Sequence, residues 1–79
     1  MRYIATFYTH LSALRSMRAL LGEKLSASLM PVPRMVSASC GTCVLYEADA
    51  PRIELLASDL EAVYLVTGED AYTLIEHRT

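Results

Sequence analysis

Cys40 and Cys43 stand three positions apart, just after Pro31-Val32-Pro33-Arg34 and a serine-containing stretch. Thiols at this spacing suit three chemistries. One thiolate can accept a terminal sulfur atom and pass it on as a persulfide, which requires a deprotonated, reachable cysteine. Two thiols can cycle through thiol–disulfide exchange. Two thiols can also supply half of a tetrahedral zinc site. The neighbouring residue types bear mainly on the first. Arg34 is the nearest cation in sequence and lowers a thiol pKa if the loop folds back. Ser37, Ser39 and Thr42 can donate hydrogen bonds to a thiolate or persulfide. Gly41 permits close approach and unusual backbone angles beside the sulfur, and the amides around it can form an anion-binding nest.

The elements that must position this loop follow from pattern. Residues 2–8 are aromatic and β-branched, with apolar groups on both faces, which predicts a central strand. Thr9 is placed to cap an amphipathic helix. Its stripe is Leu11, Leu14, Met17 and Leu21, widened by Ala13 and Leu20, with Arg15, Ser16 and Arg18 on the other side and a stop near Gly22. Residues 25–30 read as an edge strand ending at Pro31. The Pro31–Thr42 stretch is then a long loop, and residues 43–47 are a third strand. Asp49 is placed to cap a second helix, with Pro51 in its first turn and Ile53, Leu56 and Leu60 on its apolar face. Residues 62–67 and 71–76 form strands around a Gly68-Glu69-Asp70 turn, with a short helix from Asp70 as the alternative for the last segment.

The order predicts an α+β fold, the ferredoxin-like split β-α-β arrangement (β-α-β-β-α-β) with an extra C-terminal strand or hairpin. Its sheet order is 4-1-3-2, with both helices on one face. Tyr3, Phe7, Tyr46, Tyr64 and the C-terminal hairpin are the candidates to cover the other face, within one chain or across a homodimer. In this topology His10 is expected at the sheet end opposite the loop. That placement sets both a Cys40–His10 pair and a zinc site using His10 aside. The Cys-x-x-Cys pair leads into a strand, so the helix dipole that activates a thioredoxin-like thiol is missing. Met17, Met30 and Met35 read as core filler, and Tyr3, Tyr8, Tyr46, Tyr64 and Tyr72 as half-buried sheet residues.

Several motifs together carry a resemblance. Leu29-Met30-Pro31-Val32-Pro33-Arg34 is followed by Ser37, Ser39, Cys40 and Gly41, after a strand holding Phe7 and a helix. In this the chain resembles the small bacterial selenium/sulfur (Se/S) carrier protein-like family over nearly its whole length. The family pattern centres on the first cysteine and its glycine. Cys43 occupies a position that is apolar or variable there, and Ala38 stands where a third serine often sits. The resemblance implies a sulfur or selenium carrier that holds a persulfide or selenopersulfide on Cys40 in an exposed loop. Arg34, Ser39, Gly41, Thr42 and Cys43 would support it, and donor and acceptor proteins would be its partners. Such a protein is a covalent carrier or accessory protein rather than a stand-alone enzyme. The competing reading is a small interaction module whose cysteine pair is redox-active, metal-binding or structural.

Composition narrows the rest. The 79 residues are expected to form one domain, 1–79, with 53% apolar and 20% charged residues, a globular balance. A net charge of −2 gives no electrostatic footprint for nucleic acid. No apolar run approaches the ~20 residues that span a bilayer. No cofactor motif appears, and neither a cofactor nor a metal is expected. A cytoplasmic location is expected, where two cysteines stay reduced.

Overall fold

The computed structural model describes residues 1–78. Five strands and one α-helix follow in the order β1 (Arg2–Phe7), α1 (His10–Gly22), β2 (Ser26–Pro31), β3 (Thr42–Glu47), β4 (Leu60–Gly68) and β5 (Ala71–His77). The strands form a single sheet in the order β2-β3-β1-β4-β5, and every neighbouring pair is antiparallel. β1 is central, as its two apolar faces require, and β2, which ends in a proline, lies on an edge. The C-terminal segment is the second strand of a hairpin with β4. Its turn places Asp70 at φ 55°, in the left-handed region that short polar residues tolerate.

Alternation along β1 sorts the core into two layers. Tyr3, Ala5 and Phe7 meet Ala13 and Leu20 of the helix, together with Val44, Tyr46, Leu60 and Val63. Tyr3 and Tyr46 are directly opposite in register and stack with ring centroids 5.4 Å apart. On the other face Ile4 meets Cys43 and Val36, with Met30, Val32, Leu45, Tyr64, Val66 and Tyr72 around them. The expected cover for this face is corrected in part: Tyr64 and the hairpin residues Val66 and Tyr72 do lie on it. Tyr3, Phe7 and Tyr46 belong to the helix side. What lies over the opposite face is the β2–β3 loop itself, through Val32 and Val36. Beyond the loop's reach the same face keeps a depression of about 350 Å³, floored by Ile4, Met30, Leu45, Val66 and Tyr72.

Thr9 caps α1 as its position suggests, its hydroxyl accepting from the Ser12 amide at 3.2 Å. The buried stripe of the helix is rotated from the expected one. Ala13, Ser16 and Leu20 are the buried positions, with Met17 packed beside them, while Leu11 and Leu21 stay exposed. Ser16 is inside because its hydroxyl accepts the Ala57 amide at 2.8 Å, so a polar side chain serves a backbone donor in the core.

The second helix does not form. Between β3 and β4 the chain makes only a single 3-10 turn at Ile53–Leu55, entered through Arg52 at φ 52°. β3 ends beside the start of β1, and β4 starts beside Phe7 at the far end, so the connection runs the length of a six-residue strand, about 20 Å. It keeps Ile53, Leu55, Leu56 and Ala57 against the helix-side core. The architecture is α+β with one helix on a five-stranded antiparallel sheet, not the complete two-helix split β-α-β unit.

Candidate functional site

The loop between β2 and β3 starts and ends on a strand rung. Pro31 pairs with Thr42, and the Val32 amide donates to the Gly41 carbonyl at 3.1 Å. Proline at 33 opens a tight turn, closed by the Val36 amide on the Pro33 carbonyl at 3.0 Å. That turn lifts Arg34 and Met35 into solvent and drives Val36 down onto Ile4 and Cys43. The hydrophobic anchor thus lies in the middle of the loop, four residues before Cys40.

The two cysteines are separated by environment. Both are free thiols. Cys43 is fully buried in β3 between Thr6 and Met30, and burial pushes its pKa up from 9.0 to about 11. Its Sγ lies 3.9 Å from the Pro31 carbonyl oxygen. Cys40 is half-buried in the bend before β3. The loop around it was expected to be exposed; the thiol residue itself is only partly so.

The supporting residues divide. Ser39 does not serve the sulfur. Its amide donates to Glu61 Oε1 at 3.0 Å and its hydroxyl to Oε2 at 2.9 Å. Thr42 is engaged by His10, whose Nδ1 lies 3.2 Å from the Thr42 hydroxyl oxygen. Arg34 is exposed, and among the described residues it makes no ion pair or side-chain hydrogen bond. Gly41 has no positive φ, and a Cβ built on it would meet nothing within 4 Å. Its use is therefore not an unusual backbone angle, although open space beside it leaves room for an approaching group.

His10 is where the sequence reading goes astray. It was expected at the end of the sheet away from the loop. β1 and β3 are antiparallel neighbours with Thr6 opposite Cys43, so the end of β1 and the start of β3 share one edge. The first turn of α1, with His10, begins beside the loop. His77, whose partner in register is Ala62, is brought to the same edge by β5. Asp59 joins them, its Oδ2 accepting from the Thr9 hydroxyl at 3.3 Å. Among the described residues no three His, Cys, Asp or Glu side chains converge as a metal site would need. Glu61 carries no local signal: it is one acid before an apolar strand, and only the long-range pairing brings it to Ser39.

No helix among the described residues is long and apolar enough to cross a membrane. Comparison with known families gives one match, over residues 2–64, to the family described as "Putative Se/S carrier protein-like". That span holds β1, α1, β2, the whole loop and β3, and ends inside β4. No curated protein and no solved structure matches the chain.

Proposed function

The chain belongs to the Se/S carrier protein-like family, and from that premise we propose that Cys40 is the carrier thiol, held in the β2–β3 loop and loaded with a persulfide or selenopersulfide. The observation that carries this reading is the contrast between the two thiols on a loop inside the matched span. Cys40 is partly open to solvent and follows a run of turn and bend, whereas Cys43 is sealed in the sheet with a raised pKa.

The transfer is a displacement at sulfur. The Cys40 thiolate attacks the terminal sulfur of a donor persulfide, R–S–SH. A new S–S bond forms on Cys40 and the donor's S–S bond breaks. The donor leaves as R–S⁻, so no external oxidant enters. Handing on reverses the roles, with an acceptor nucleophile attacking the outer sulfur. Gly41, next to the sulfur-bearing residue, has open space where a Cβ would stand. His10 and Thr42, at the start of α1 and β3, place an imidazole and a hydroxyl 3.2 Å apart beside the loop.

Cyanolysis tests this. After incubation with inorganic polysulfide and removal of excess reagent, cyanide should release about one thiocyanate per chain from the unsubstituted protein and from Cys43→Ala. Cys40→Ser should release none. Equal release from Cys40→Ser would overturn the assignment. The interaction-module reading draws on Met35, 72% exposed beside Arg34 at the tip of the loop, and gains ground if no variant binds sulfur.

A further inference from the structure

We propose that Glu61 is a latch: its carboxylate holds the residue before Cys40 and so sets how open the thiol is. Ser39 gives both of its donors to this one side chain, in a two-point contact with bonds of 3.0 and 2.9 Å. Across residues 37–40 these are the hydrogen bonds that tie the loop to the rest of the molecule among the described residues. Upstream the loop is held by Val36 on the sheet, and downstream by the Val32–Gly41 rung. Between those points Cys40 depends on Ser39 for its position. The Glu61 carboxylate has no cation paired with it among the described residues, so the Ser39 contact is that side chain's one polar engagement there. β4 places Glu61 as the extra residue of a bulge opposite Thr6 and Phe7, with the Glu61 carbonyl accepting the Arg78 amide at 2.9 Å and the next residue, Ala62, fully inside.

The contact has a second consequence. While Glu61 occupies the Ser39 amide and hydroxyl, neither can stabilise an anionic sulfur on Cys40. Opening the latch exposes the thiol and frees two donors in the same movement. Both bonds sit at the surface, where such contacts are weak enough to open and close readily. This inference rests on the proposed carrier role only for what the opening is for; the latch itself is measurable without any sulfur transfer.

Alkylation of the two cysteines by iodoacetamide, followed site by site by peptide mass, reads it. Cys43 is the internal control, because only loosening of the whole sheet makes it reactive. Glu61→Ala, which removes both bonds, is expected to raise the Cys40 rate roughly fivefold, and Ser39→Ala, which keeps the amide bond, roughly twofold. The double variant should go no further than the stronger single one, Glu61→Gln should fall between, and Cys43 should not change. An unchanged Cys40 rate in both single variants overturns the proposal. So does a parallel rise at Cys43, or a double variant in which the two effects multiply. Hydrogen exchange in the unsubstituted protein provides a second reading. The Ser39 amide should be protected relative to those of Ser37 and Ala38 after correction for sequence, and equal rates contradict the latch. Failure of cyanolysis at Cys40 with the alkylation pattern intact would sink the carrier reading and leave the latch standing.

Discussion

At Cys43 the thiol has Val36 against it and strands on both sides, and that enclosure has a pH signature. Its pKa is 9.0 in an unfolded chain and about 11 in the fold. Below pH 9 both states hold the proton and the contribution to stability is complete. Between 9 and 11 the unfolded chain binds fewer protons, so unfolding becomes easier as pH rises, by at most ~1.4 kcal/mol per pH unit. Tyr46 adds to the same trend, because burial raises its phenol as well. Denaturant melts from pH 8 to 11 should show stability falling above pH 9, and Cys43→Ala should flatten part of that fall. A curve indifferent to the substitution would show that Cys43 titrates alike in both states. That Cys43 belongs to a strand was legible from the pattern after it. What the flanking residues do was not. Ser39 and Thr42 look like ligands for sulfur in the sequence, yet each is taken by a side chain from a distant strand or helix, Glu61 and His10.

Among the elements, α1 and the β3–β4 connection share one polar contact that deserves a measurement. Ser16 is 1% exposed and satisfies the Ala57 amide. Ser16→Ala should destabilise by ~1–3 kcal/mol, the usual effect of stranding a buried donor. Thr9→Ala, at an exposed cap, should lose about 1 kcal/mol. Equilibrium urea unfolding separates the two, and a Ser16 variant no weaker than the Thr9 variant would place water at the Ala57 amide. The same elements show why pattern reading succeeds and stops. β1, α1, β2, β3 and the C-terminal hairpin announce themselves through local periodicity and caps. The second helix had a plausible cap and apolar spacing at Ile53 and Leu56, but the chain there makes one 3-10 turn, packs Ile53, Leu55, Leu56 and Ala57 on the core and gives the Ala57 amide to Ser16. Ser16 looked like an outward residue because nothing near it in sequence announces its partner at Ala57.

For the whole molecule, a single helix and a loop share the task of covering a five-stranded sheet. One face is sealed by α1 and the β3–β4 connection, the other only in part by Val32 and Val36, leaving the depression beside Ile4 and Tyr72. Uneven cover implies uneven stability. Amide exchange should be slowest in β1 and its partners β3 and β4, and fast across residues 33–41 apart from the Val36 and Ser39 amides. Uniform protection of the loop and the sheet would mean that the loop opens only with global unfolding, which would leave Cys40 no means of meeting a partner. The antiparallel order also decides the chemistry of one edge. It gathers the N-terminus of α1, the loop and the start of β4 at one end of the sheet, and so brings His10 to Thr42 and Glu61 to Ser39 from places far apart in the sequence. The most direct test of this account is intact mass spectrometry after incubation with a cysteine desulfurase and cysteine. It predicts a gain of one sulfur atom that reductant removes, kept in Cys43→Ala and absent from Cys40→Ser. An adduct that survives in Cys40→Ser, or none in any form of the protein, would contradict it.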